Sequence, residues 1–145
     1  MIGKTWILMI LLNIALFLSP EYAEAQEKDK SWKGAVTEVD LVKAVNFLIN
    51  NKGKEIYLVG KRHTITGKEE LDVVITVLQC CDEKMFLEEI SALGKIISVK
   101  FPHFYARMPL DTIPQIDKNG EVTEIKFIPE SRGFWMNAIK HGLKK

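Results

Sequence analysis

Cys80 and Cys81 are the only thiols in the chain, and they are adjacent. A dithiol redox site sets its cysteines two residues apart at a helix N-terminus, where the dipole lowers the thiol pKa. This pair lacks that spacing. Its Cα atoms, about 3.8 Å apart, also fall short of the roughly 4.4–6.8 Å of an ordinary disulfide, so a bridge between them is strained. The first reading is two small buried hydrophobes. The alternatives are a disulfide between molecules, or a reactive thiol ahead of Asp82-Glu83-Lys84 if residues 71–79 form a strand. His63, His103 and His141 are scattered, and no Cys/His or His/carboxylate pair has metal-ligand spacing, so neither metal nor cofactor is expected. Glu69-Glu70, Asp82-Glu83 and Glu88-Glu89 are side-by-side carboxylates. Neighbours on a helix point about 100° apart, which suits solvated faces and helix starts better than acid/base pairs. Ser31, Ser91, Ser98 and Ser131 have no evident base near them in sequence.

Two features point to binding instead. Lys61-Arg62-His63 is a short basic cluster after a predicted strand, at the kind of edge where α/β folds bind ligands, although it also suits a solvated turn. Phe101, Phe104 and Tyr105 precede Ile113-Pro114 and either line a groove beside the proline or plug the core. The groove candidates are Pro114, Ile113, Phe104, Tyr105 and Arg62; the redox candidates are Cys80 and Cys81.

Thr37 begins a helix whose stripe is Leu41, Val45 and Leu48, ended by Asn50-Asn51-Lys52-Gly53. Glu55 to Val59 reads as a strand buried on both faces, and Gly60 to Thr66 as a basic connection. Residues 67–81 carry two signals. Leu71, Val74, Ile75 and Leu78 fit helical spacing behind a Thr66/Glu69 capping box, while Val73 to Val77 is β-branched throughout. Cap and period together predict a helix. A second helix follows over Asp82 to Leu93, then a strand from Ile96 to Phe101 that ends at Pro102. Thr112–Ile116 and Glu121–Ile128 read as strands joined by Asp-Lys-Asn-Gly in a hairpin. Ser131 caps a last helix with Trp135, Ile139 and Leu143 inward. The expected fold is α/β, a small mixed sheet sandwiched by helices in the order α-β-α-α-β-β-β-α.

Residues 1–25 have the form of a secretory signal peptide: Lys4, an apolar run from Trp6 to Leu18, and the small-residue site Ala23-Glu24-Ala25. The run is shorter than the roughly 20 apolar residues that span a bilayer. The expected layout is a signal peptide over 1–25, a flexible charged arm over 26–35 and a single α/β domain over 36–145, with no membrane insertion after cleavage. About 120 residues then remain, enough for one core and too few for two. Without Lys4, Glu21 and Glu24 the 20 basic and 19 acidic residues become 19 and 17, too weak a bias to imply nucleic acid or an anionic membrane as a partner.

The order strand, aromatic link, Ile113-Pro114, Asn119-Gly120 and helix from Ser131 resembles the second half of a thioredoxin fold, where such a proline is cis beside the active site. The preceding elements, with Pro102-His103-Phe104-Tyr105 and Ile113-Pro114, look like the exported thioredoxin-like proteins that assemble pilin in F-type conjugative transfer systems. No strand is evident before the first helix, where that family has one, and Gly60-Lys61-Arg62 stands where it has Arg-Gly. The resemblance implies a periplasmic or extracellular, non-catalytic protein that contacts proteins of the cell envelope, in an assembly factor's role. Two alternatives stand beside it: a thiol-disulfide oxidoreductase using Cys80 or Cys81, and a small secreted inhibitor or immunity-type protein.

Overall fold

The computed structural model describes Trp32 and residues 37–142. The expected signal peptide and, Trp32 apart, the arm lie outside the described residues, as does Leu143. Trp32 belongs to an N-terminal unit, Met1–Trp32, and everything below concerns the second unit, Lys33–Lys145.

Helix α1 (Val39–Asn50) buries Leu41, Ala44, Val45 and Leu48, the stripe its spacing predicts. It starts two residues later than expected because Thr37 is used elsewhere. Its hydroxyl donates to the buried Asp117, and its backbone forms an isolated parallel bridge with Ile125. Glu38 then donates its N–H to the Ile125 carbonyl and accepts the Phe127 N–H on its carboxylate. The chain therefore covers a sheet edge before it turns into the helix.

After α1 come β1 (Glu55–Leu58) and β2 (Lys61–Thr64), an antiparallel hairpin that forms a sheet of its own. This corrects two expectations. Residues 60–66 contribute a strand, and β1 buries only Ile56, its other side chains facing outward or part-covered.

The largest correction concerns residues 67–81, which hold the central strand β3 (Glu70–Val77) where a helix was expected. Leu71, Val73, Ile75 and Val77 are buried at a period of two, and Val74 on the opposite face is covered as well. Crowding at Cβ makes a β-branched run costly in a helix and favourable on a pleated sheet, and here it decides the outcome. The capping signal is also real. Glu69 reaches back to the Thr66 N–H at 2.9 Å, but the bond closes a turn that launches a strand.

Asp82 caps α2 (Glu83–Ser91) by accepting the Met85 N–H at 3.0 Å, and Phe86 and Ile90 are its buried side chains. Gly94 follows, packed so closely on β5 that an added Cβ would lie 2.4 Å from Met108 Sδ and 2.7 Å from the Arg107 carbonyl. Then come β4 (Lys95–Lys100) and β5 (His103–Pro109), separated by a turn with a cis Phe101–Pro102 bond. The aromatic link expected between Pro102 and Thr112 thus contains a full strand.

A 3-10 turn (Leu110–Thr112) and short helix α3 (Ile113–Asp117) stand where a strand and hairpin were expected. Pro114 sits in the first turn of α3, where its missing N–H has no partner to lose and its fixed φ suits a helix. Ile113 and Ile116, three apart, are both buried. The Asn119 side chain accepts the Glu121 N–H, so the Asn-Gly turn joins a helix to β6 (Val122–Phe127). The last helix, α4 (Pro129–Lys140), begins two residues before Ser131 and buries Trp135 and Ala138; Ile139 is half-buried.

The main sheet has the order β4-β5-β3-β6, with every neighbouring pair antiparallel, so the fold is α/β as expected but the sheet is not mixed. β3 and β4 run parallel with β5 between them, and β6 lies on the far side of β3. With α2 and α3 as crossovers this is the split β-α-β connectivity of the ferredoxin-like arrangement. The observed order from α1 is α-β-β-β-α-β-β-α-β-α. Ile75 faces Phe104 across β3 and β5, and the Phe86 ring of α2 lies 4.9 Å from the Phe104 ring, which fixes that helix over the core.

Candidate functional site

The β1–β2 hairpin pairs Glu55 with Thr64, Ile56 with His63, Tyr57 with Arg62 and Leu58 with Lys61. Its ladder continues through Gly53 N–H to the Ile65 carbonyl and Ile65 N–H to the Lys54 carbonyl. Side chains alternate across it: Ile56 is buried beneath, while Tyr57 and Arg62 share the outward face. The turn is Val59-Gly60, with φ of 52° and 74°. Positive φ at both central residues is the two-residue turn whose twist matches the strands, and Asn-Gly is its relaxed sequence. Gly60 meets that demand without strain. Val59 does not, because a β-branched side chain in the left-handed region crowds its own backbone, at a cost of about 1–2 kcal/mol. Val59 is 82% exposed, the most exposed large apolar residue among those described.

The base of the hairpin is pinned by Glu69. Its buried carboxylate accepts from His63 Nε2 at 2.7 Å, from the Thr66 N–H and hydroxyl at 2.9 and 3.0 Å, and from the Gly67 N–H at 2.9 Å. Burial by itself raises a carboxyl pKa. Here the hydrogen bonds from the Thr66 backbone, His63 and the Thr66 hydroxyl outweigh it and lower Glu69 to about 2. His63 is a third exposed and bound on one ring nitrogen. The pair ties β2 to the start of β3, and no serine or cysteine joins it.

The residues expected to form a groove are dispersed. Phe104 and Ile113 are sealed in the core, Tyr105 lies on the opposite face of β5 from Phe104, and Pro114 is half-buried on α3. The only cis bond among the described residues is Phe101–Pro102, so Ile113–Pro114 is trans and the motif on which the thioredoxin resemblance centred is arranged differently. Arg62 alone stands on the exposed hairpin.

Cys80 is exposed and Cys81 buried, both free, in the turn between β3 and α2. The strand at 70–77 puts them where a reactive thiol would sit, one turn ahead of a helix. Yet burial first, and then the hydrogen bond to Glu121, push the Cys81 thiol up to about 11. Its Sγ donates to Glu121 Oε2 at 3.0 Å, an arrangement that holds the proton on sulfur.

A cleft of about 440 Å³ lies where the chain enters α1 beside the start of α4, between Glu38, Lys126, Phe127 and Arg132. Arg132 there is paired with Asp40 at 3.1 Å. A second cleft of about 370 Å³ is lined by Glu70, Asp72, Arg107, Glu130 and the Phe134 and Trp135 rings, with Arg107 bound to Asp72 at 2.9 Å. Among the described residues no three His, Cys, Asp or Glu side chains converge as a metal site, and no helix is long and apolar enough to cross a membrane.

Val59 and the Glu69 pin were missed in the sequence. Glu69 is visible there only as half of a capping box, and a valine is the last residue by which such a turn would be recognised. The fold and hairpin define a small α/β domain with a split β-α-β sheet. Comparison with protein-family models, curated proteins and solved structures finds no match.

Proposed function

We propose that this chain is an exported, non-catalytic domain that works through protein–protein contacts. One observation carries the reading: Cys81 and Glu69, two of the side chains best suited to chemistry, are committed to holding the fold. Cys81 keeps its proton in a hydrogen bond donated to Glu121, and Glu69 is saturated by four hydrogen bonds, with His63 among its donors. Export rests on the form of residues 1–25. A conjugative pilus or similar envelope machine as the setting is a narrower version of the proposal, supported by the resemblance alone.

Affinity capture from the envelope fraction of the cells that make the protein is the test. One stoichiometric protein partner is expected, retained equally by the Cys80→Ser/Cys81→Ser variant. Absence of any protein partner, or a disulfide-reducing activity that disappears with the two cysteines, overturns the reading. Intact mass checks export separately. A chain beginning at Gln26 is expected, and a retained Met1 contradicts it.

A further inference from the structure

We propose that the β1–β2 hairpin is the contact element, and that its partner is a folded protein presenting an acidic rim around a small apolar pocket that receives Val59. This rests on the contact reading above and names the site and the chemistry of its partner.

A single exposed valine is ordinary on a protein surface. A valine held at φ 52° is not, because a turn required only to close would be better served by asparagine or aspartate. At 82% exposed, its side chain adds little packing to its own fold. The conformation costs stability, and the side chain at the tip offers this domain nothing in return. A pocket on another molecule would account for both facts.

Charge describes the rest of the partner. Lys52, Lys54, Lys61, Arg62 and Lys68 all belong to the hairpin or its immediate flanks, and all five are exposed. None of them pairs with an acid among the described residues. The same stretch has Glu55 as its one exposed acid before Glu70, since Glu69 is buried beneath His63. The chain as a whole carries a formal charge of only +1, so basic charge is concentrated here. The ladder from Gly53 to Ile65 and the Glu69 pin hold the hairpin in place, which reduces the ordering lost on binding.

The apex favours a protein over the other anionic partners. A nucleic-acid phosphate calls for a cation or stacking rings at the most prominent point, and a bilayer calls for more apolar surface than one valine. A small aliphatic side chain ringed by cations suits a pocket with carboxylates at its mouth.

The test uses the full chain with a small aliphatic diazirine residue, close to valine in bulk, at position 59, expressed in the cells that make the protein. The protein joined there is purified and titrated against the wild type, Val59→Asn and Arg62→Glu at low and moderate salt. Val59→Asn relaxes the turn, so its melting temperature should rise by about 4 °C or more. Its affinity should nevertheless fall about 10-fold or more. Arg62→Glu should weaken binding most at low salt. A variant that is more stable yet binds less well cannot be explained by misfolding. Undiminished binding by Val59→Asn, no crosslink at position 59, or crosslinks to nucleic acid or lipid overturn the proposal. If the whole protein still captures a protein partner in those cases, the contact reading stands and only its placement on the hairpin fails.

Discussion

Glu69 is a carboxylate that folding places under four hydrogen-bond donors while removing most of its water. Because its pKa falls from 4.5 to about 2, its contribution is complete above about pH 4.5, where both folded and unfolded chains carry the charge. As the pH drops toward 2 the unfolded chain takes up the proton first and the contribution is lost, at most about 3 kcal/mol for this displacement. Chemical denaturation between pH 6 and 2.5 should show that decline, and Glu69→Gln should flatten it while lowering stability at pH 6 by about 1–3 kcal/mol. Cys81 shows the converse effect. A thiol held near 11 reacts slowly with alkylating reagents at pH 7.5, so native protein should label at Cys80 alone and unfolded protein at both. Glu121→Gln should speed labelling of Cys81 by removing the charge that opposes its thiolate. The sequence shows both cysteines and the Thr66/Glu69 pairing, but not the approach of His63 to Glu69 or of Glu121 to Cys81, which lies 40 residues away.

At the scale of elements, opposing local signals were decided by what each segment could pair with. Residues 70–77 carry helical spacing and a β-branched run together, and the run prevailed because β5 and β6 flank the segment on both sides. Thr112–Ile116 went the other way: Pro114 has no N–H for a ladder but suits the first turn of a helix. Pro114→Ala should therefore change stability by less than about 1 kcal/mol in urea denaturation, since only a helix start is altered. A large loss would show a structural demand beyond that start. Gly94 is different. With Met108 Sδ and the Arg107 carbonyl inside contact distance of any Cβ, Gly94→Ala should force α2 away from β5 and cost about 1–3 kcal/mol, read from the denaturation midpoint.

Across the whole molecule, one core is built on the β3 face that carries Leu71, Val73 and Ile75, covered by Phe86 and Ile90 of α2. The hairpin buries Ile56 and Ile65, packs against α4 through β1, and is tied to the start of β3 by the Glu69 pin. Local physics alone determined α1, α2, β4, β6 and α4 to within a few residues, because amphipathic period, caps and prolines act over a handful of positions. It also determined the α/β class and the absence of disulfide spacing at Cys80-Cys81. Tertiary structure decided the strand order, the conversion of residues 70–77 to a central strand, the dispersal of the expected groove and the exposure of Val59. Each of those depends on which segments meet across tens of residues, where pairing and burial outweigh local preference. Val59 is the sharpest case: its neighbours in sequence mark it as part of a strand, and only the pairing of Leu58 with Lys61 forces it into the turn.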